Sequence, residues 1–189
     1  MIKHYITGFC FSALVATPLS AAVIVHQNEE SGLLTWVSEE DGFSLELIQL
    51  LPDFVRAIYE AHEFPKEEIE KIAEYCVFGT IIKNTSSETV HYSVSDWRYI
   101  DNNGHAQVIK TKTEWLKQWR KAGIVFSWTL LPDEQSFSAG DWQQGFTTIL
   151  HPRETSFGLS YSWTVGGVKQ QALLENLQCA PKELLNEQE

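Results

Sequence analysis

The stretch of sequence that decides the fold runs from Cys76 to Asp101 and reads CVFGTIIKNTSSETVHYSVSDWRYID. Val, Ile, Thr, Tyr and Trp dominate this stretch on both sides of a polar break at residues 84–88. β-Branched and aromatic runs that flank a polar turn are typical of β-strands. The pattern therefore predicts two strands, at about 77–83 and 89–100, against which the rest of the chain packs.

Turn signals on either side of this stretch predict two hairpins. Residues 33–37 and 43–49 flank Asp41-Gly42, a dipeptide that favours a tight reversal. Asn103-Gly104 predicts a second reversal, in which Asn102 faces His105 and the chain returns antiparallel through residue 110.

Alternating hydrophobic residues predict further strands in the second half of the chain. Strands are expected at 124–131, 145–150, 157–165 and 168–177, with Gly166-Gly167 turning the chain between the last two. One face of the strand at 124–131 holds Phe126, Trp128 and Leu130. One face of the strand at 157–165 holds Phe157, Leu159, Tyr161, Trp163 and Val165. Both faces are predicted to lie in the core.

Helical periodicity appears in one place before the central strands. Pro52 suits the first turn of a helix, and the apolar residues that follow recur every three or four positions up to about residue 63. A second helix begins near Pro65, with Ile69, Ile72 and Cys76 on one stripe. The sequence thus predicts a helical hairpin over about 52–75, packed on one end or edge of the strands.

Together these elements predict a mainly β (α+β) protein. The architecture expected is a single antiparallel immunoglobulin-like β-sandwich, because many short strands are separated by turns every 8 to 12 residues. We expect one domain over 23–180 with the helical hairpin as an insert, followed by a charged, frayed tail at 181–189.

The N-terminal residues 1–22, MIKHYITGFCFSALVATPLSAA, have the pattern of a secretory signal peptide. Their apolar run is too short to span a bilayer stably, so we expect cleavage near Ala22, no transmembrane anchor afterwards, and a location in the periplasm or outside the cell. Loss of Lys3 changes the formal net charge from −11 to −12. Such an acidic chain is a poor partner for nucleic acid.

Cys76 and Cys179 are the two cysteines that remain after residue 22. An exported chain with two cysteines most often pairs them, so the sequence predicts a disulfide that links the helical hairpin to the last strand. Neither cysteine lies in a CxxC motif or beside a basic residue, so a redox role is not indicated.

Residues 113–122, TEWLKQWRKA, contain the one concentrated basic segment of the chain. Two interpretations stay open. The segment is either a surface helix whose tryptophans cap the core, or a docking surface for an acidic partner or for lipid headgroups. The residues assigned to partner binding are Trp115, Trp119, Lys117, Arg120 and Lys121.

No catalytic motif, phosphate-binding loop or cofactor signature is present in the sequence, and no metal site is assigned. The histidines after residue 22 are too far apart in sequence for a helical or strand-borne pair: His26, His62, His91, His105 and His151. The leading prediction is an exported, non-enzymatic periplasmic accessory or binding protein that acts through protein–protein contacts and carries no cofactor.

Two alternatives remain at this level. A periplasmic metal-handling protein for copper or zinc would need histidines that converge in space. A carbohydrate-binding or glycan-acting protein would use exposed tryptophans as stacking platforms. The chain has seven tryptophans; with Trp128 and Trp163 predicted in the core, the candidates are Trp36, Trp97, Trp115, Trp119 and Trp142.

Overall fold

The computed structural model describes residues 23–184. These residues form two antiparallel sheets packed face to face, with three helices on the outer side of the first sheet. The predicted β-sandwich with a helical hairpin is therefore confirmed. The predicted signal peptide and residues 185–189 of the predicted tail lie outside the described residues.

The first sheet consists of five strands in the spatial order β1 (Val23–Gln27), β2 (Leu34–Glu40), β3 (Phe43–Leu50), β4 (Cys76–Asn84) and β9 (Trp142–Ile149). Asp41 and Gly42 join β2 to β3 with φ values of 43° and 78°. A two-residue turn with both φ values positive matches the right-handed twist of the strands, so the predicted reversal is confirmed.

The second sheet contains six strands: β5 (Val90–Ser93), β6 (Arg98–Ile100), β7 (Ala106–Val108), β8 (Glu134–Phe137), β10 (Ser156–Val165) and β11 (Val168–Gln178). Strand β10 pairs with β11 on one side and with β5 and β6 on the other. The single strand predicted at 89–100 is wrong, because a 3₁₀ turn at Val94–Asp96 divides it. This turn leads into Trp97, which is buried and donates a hydrogen bond from Nε1 to the Ser162 carbonyl.

The β6–β7 hairpin differs from its prediction by one position of register. Asp101, not Asn102, lies opposite His105, and Ile100 pairs with Ala106. The Asp101 carboxylate accepts hydrogen bonds from the backbone N–H groups of Asn103 and His105. These bonds favour a three-residue loop over the tighter turn that Asn-Gly alone suggests.

The core between the sheets follows the predicted alternation. Phe43 of β3 stacks on Trp163 of β10, with ring centroids 4.9 Å apart. The inward residues of β10 are buried from Phe157 through Trp163, as predicted. Burying one such side chain contributes about 1.5–3 kcal/mol to folding, so these two strands are major contributors to stability.

An immunoglobulin-like strand order is not confirmed. Strands β1 to β4 are neighbours in sequence order within one sheet, whereas the immunoglobulin fold distributes early strands between both sheets. The short connections between β1, β2 and β3 explain the difference, because they keep consecutive strands in adjacent positions.

Three helices form a third layer: α1 (Pro52–Ala61), α2 (Lys66–Ala73) and α3 (Lys112–Lys121). The predicted helical hairpin is α1 and α2. It packs on the outer face of the first sheet, near the end of the face that Leu50 of β3 and Val77 of β4 occupy. The reason is that Leu50 and Val77 are apolar residues on the outer face of β3 and β4, where they contact the helix cluster around Val55, Tyr59 and Ile72.

The strand predicted at 124–131 is wrong. Only Leu130 makes an isolated bridge, with Phe146 of β9, and Trp128 is 83% exposed instead of buried. The segment leaves α3, passes over the outer face of the first sheet and turns around the edge of β9 toward β8. Within residues 23–184 no second layer covers it there, so Phe126 packs against the helices while Trp128 faces solvent.

The predicted disulfide between Cys76 and Cys179 is confirmed. Its Cα atoms are 4.9 Å apart, and it connects the first residue of β4 to the residue after β11. Both cysteines are buried. The bridge therefore ties the first sheet and the helical hairpin to the last strand of the second sheet. Within residues 23–184, no helix is long and apolar enough to cross a membrane.

Candidate functional site

Helix α3 carries the partner-binding residues assigned from the sequence, and its start is fixed by a capping box. The Thr111 hydroxyl accepts a hydrogen bond from the Glu114 backbone N–H at 3.3 Å. The Glu114 carboxylate accepts one in return from the Thr111 backbone N–H at 2.8 Å. Such a box defines the first residue of the helix.

The two tryptophans of α3 lie in the protein interior. Trp115 and Trp119 are 0% and 1% exposed. Trp115 donates a hydrogen bond from Nε1 to Thr148 Oγ1 of β9, and Trp119 packs edge-on against Phe64. Partner contact through either ring is not supported, so the core-capping interpretation holds for the tryptophans.

Burial of the tryptophans turns the opposite side of α3 to solvent. Lys117, Arg120 and Lys121 are exposed on this side, and none of them forms a salt bridge with any residue between 23 and 184. We call these three residues the basic face. It is an unpaired positive surface on a chain whose formal net charge is −11.

A hydrogen-bonded network anchors α3 to α2 beneath the basic face. Lys110 Nζ donates to Gln118, and Gln118 Nε2 donates to Glu68, which also accepts from Lys71. Burial by itself would raise the pKa of Glu68, but hydrogen bonds from Lys71 and Gln118 outweigh it and lower this pKa. Burial lowers the pKa of Lys110, whose ammonium lies 3.4 Å from the Trp115 ring centroid.

Apolar residues are exposed immediately after α3. Val125 is 99% exposed and follows the helix by only a few residues. Trp128 lies slightly further along, over the outer face of the first sheet, and Trp142 of β9 is 57% exposed on the same face. Trp128 and Trp142 are thus the exposed tryptophans of the described chain. The sequence missed Trp128 because its alternation with Phe126 and Leu130 resembled that of a core strand.

A charged cleft of about 460 Å³ lies beside the disulfide. Arg56 binds Asp53 and Glu70 at its rim, and hydrogen bonds to Glu70 raise the pKa of Arg56. Arg153 donates to the backbone carbonyls of Ala73, Tyr75 and Ala180. Both guanidinium groups therefore already have protein partners: Arg56 links α1 to α2, and Arg153 links the end of α2 to Ala180 beside the bridge.

The histidines are dispersed over the structure. His91 contacts Ser136, His105 contacts Asp101, and His151 contacts Thr155. His62 lies against the Phe126 ring, and His26 is on the exposed β1. Within residues 23–184, no group of three or more His, Cys, Asp and Glu side chains is arranged to hold a metal ion.

One hydroxyl–imidazole pair resembles part of a nucleophilic site. Thr155 Oγ1 and His151 Nε2 are 2.8 Å apart. The Thr155 hydroxyl also contacts the Pro152 carbonyl in the same turn, and among the described residues no carboxylate contacts the His151 ring. A nucleophile and base need a third group that orients the imidazole, so this contact is interpreted as part of the turn.

Comparison of the chain with protein-family models, with curated proteins and with solved structures found no match.

Proposed function

We propose that this chain is an exported, non-enzymatic accessory protein that binds an acidic partner protein through the basic face of α3. The observation that carries the proposal is the set of three exposed cations, Lys117, Arg120 and Lys121, without salt bridges among the described residues. Charge of this sign attracts acidic surfaces and speeds association with them.

Two further features support this proposal. Hydrogen bonds from the capping box and from Gln118 to Glu68 hold α3 in place, so its charges form a preorganised surface. Val125, beside the helix end, adds an exposed apolar contact to the charged residues. Binding surfaces commonly combine an apolar centre with charged residues around it.

Export to the periplasm or to the exterior is part of the proposal. The pattern of residues 1–22 supports it, and so does the disulfide, since such bonds persist in oxidising compartments. Mass spectrometry of the protein purified from its host tests this part. We expect a mature N-terminus at or near Val23; a retained residue 1 would contradict it.

A competing explanation assigns the basic face to helix stability. Arg120 and Lys121 lie in the last turn of α3, where cations interact favourably with the helix dipole by about 0.3–1 kcal/mol each. The test must therefore separate binding from stability. Replacing Lys117, Arg120 and Lys121 with Gln removes the charge and keeps the side chains long and polar.

The experiment places a photoreactive amino acid at Ala122, an exposed residue at the end of α3. Irradiation of cells that produce the full chain should give a discrete protein adduct. The triple Gln variant should lose the adduct while its melting temperature falls only slightly. The matched control neutralises three exposed lysines elsewhere, Lys66, Lys83 and Lys182, and should keep the adduct. An adduct that survives neutralisation of the basic face would contradict the proposal.

A further inference from the structure

The outer face of the first sheet is only partly covered by helices. The helix layer contacts the face at Leu50 and Val77, near one end of β3 and β4. Further along the same strands, Ile48 pairs with Gly79 and Glu46 pairs with Ile81. These outward positions lie beyond the helices and are only partly buried.

A groove of about 460 Å³ occupies this uncovered area. Trp128 forms one wall, Gly79 lies in the floor, and Phe146 closes the end nearest the helices. The volume lies within the range of about 300–1,000 Å³ that is usual for small-molecule sites. We call this space the Trp128 groove; its remaining lining residues are Ile48, Thr80, Ile81, Thr129, Gln143, Gln144 and Gly145.

The floor of the Trp128 groove includes a glycine, and its wall is anchored by one residue. A Cβ atom built on Gly79 would have atoms of Ile48 as its three nearest neighbours, at 3.6–3.9 Å, so the floor has room for contact at this position. Thr129, the next residue after Trp128, is fixed by a 2.7 Å hydrogen bond between its hydroxyl and that of Tyr59. The position of Trp128 over the sheet is therefore tied to helix α1.

The indole of Trp128 has no partner within the described chain. It is 83% exposed and makes no ring contact or hydrogen bond with any residue in 23–184. The side-chain amide of Gln144 is likewise without a hydrogen bond in this range. Ile24 and Trp142 are also exposed on the same sheet face.

The charge of the lining points to the class of ligand. None of the residues that line the Trp128 groove is ionisable, although the protein is strongly acidic and the cleft beside the disulfide is lined by seven charged side chains. A charged ligand would find no counter-charge in this lining. An apolar wall with free amide groups instead suits a neutral ligand that has an apolar face and a polar rim.

We propose that the Trp128 groove is a binding site for a neutral saccharide. A pyranose ring has aliphatic C–H groups on its faces and hydroxyl groups around its rim. The face would stack on Trp128 above Gly79, and the hydroxyl groups would exchange hydrogen bonds with the Gln144 amide. This site shares no residue with the basic face, so the inference does not depend on the proposed function.

The test uses the full chain with its disulfide intact. It is titrated with maltohexaose, cellohexaose and chitohexaose while the indole N–H signals of its tryptophans are followed by NMR. At least one of these neutral oligosaccharides should cause a saturable shift of the Trp128 signal. Trp128→Ala should weaken the affinity by about tenfold or more. Trp142→Ala, which removes an exposed tryptophan outside the groove lining, is the matched control and should leave the affinity within about twofold.

A second variant fills the groove without touching Trp128. Gly79→Val places a branched side chain on the floor and should abolish binding, while unchanged signals from the buried Trp36, Trp97 and Trp163 show that the sandwich is intact. The inference is overturned if none of the three sugars gives a saturable shift, or if Trp128→Ala and Gly79→Val both bind sugar normally.

Two further outcomes would also overturn it. One is tighter binding of an acidic oligogalacturonate, and the other is a shift of the Trp128 signal that self-association of the chain alone produces. The triple Gln variant of the basic face should bind sugar normally, so the two proposals fail independently.

Discussion

The hydroxyl groups of Tyr59 and Thr129 lie 2.7 Å apart, although 70 residues separate them in sequence. This hydrogen bond joins α1 to the segment that carries Trp128. Tyr59 is buried, and burial raises its pKa far above the ordinary value, so the phenol stays protonated in the physiological range. The bond therefore persists wherever the fold does.

Replacement of Tyr59 with Phe should loosen residues 124–129. We expect a stability loss of about 1 kcal/mol, the usual value for one hydrogen bond, and faster amide hydrogen exchange in this segment. Tyr161→Phe is the matched control, because Tyr161 makes a similar 2.9 Å hydrogen bond to Ser38 inside the sandwich. The control should lose similar stability and leave exchange at 124–129 unchanged. Equal exchange in both variants would show that Tyr59 does not hold the segment.

Removal of the disulfide should destabilise the fold more than the loss of any one hydrogen bond. Cys76 and Cys179 are 103 positions apart, and the chain-entropy model gives a stabilisation of about 4–5 kcal/mol for a loop of this length. The Cys76→Ala/Cys179→Ala double variant should show this loss in urea denaturation, and reduced wild-type protein should match it. A denaturation midpoint that does not move would mean that packing alone fixes the end of β11.

Gly145 should not tolerate a side chain. A Cβ atom at this position would lie 2.5 Å from the Leu131 Cα atom, where the chain turns around the edge of β9. We expect Gly145→Ala to cost about 1–3 kcal/mol through overpacking, measured by urea denaturation. Gly79→Ala in the neighbouring strand is the control, since its Cβ would lie 3.6 Å from Ile48 and should cost little. If Gly145→Ala and Gly79→Ala lowered the stability equally, the close approach of Leu131 would not be the reason for a glycine at position 145.

Glu68 should make the stability of the fold depend on pH in the acidic range. Its folded-state pKa is lowered, because hydrogen bonds from Lys71 and Gln118 outweigh the opposing effect of burial. A carboxylate with a lowered pKa stabilises the fold fully above its ordinary pKa of 4.5, and this contribution is lost as pH falls through the lower, folded-state value. Glu68→Gln should therefore cost about 1–3 kcal/mol at pH 7 and less at pH 3.

Thermal denaturation of wild type and Glu68→Gln between pH 3 and pH 7 measures this difference. Glu67→Gln is the control, because Glu67 also contacts Lys71 but is largely exposed. It should have a small effect at every pH, as surface ion pairs contribute little. If the stability difference between Glu68→Gln and wild type stayed constant from pH 3 to pH 7, it would contradict the lowered folded-state pKa of Glu68.

The sequence by itself determined the elements whose hydrophobic period coincides with one buried face. β3, β10 and the α1–α2 hairpin were predicted correctly because most apolar residues of each element lie on one buried side, so the period of 2 or 3.6 follows burial. The Cys76–Cys179 bridge was predictable for a different reason. With two cysteines left after residue 22, only one pairing exists.

Tertiary structure alone decided the environment of Trp115, Trp119 and Trp128. Trp115 and Trp119 stand in a basic segment but are buried, because the outer face of the first sheet offers α3 an apolar surface. Trp128 lies in a core-like alternation but is exposed, because residues 124–131 cross that same face where no other part of the described chain covers them. Periodicity tells which residues share a side of the chain, and only the packing of distant elements decides whether protein or water lies on that side.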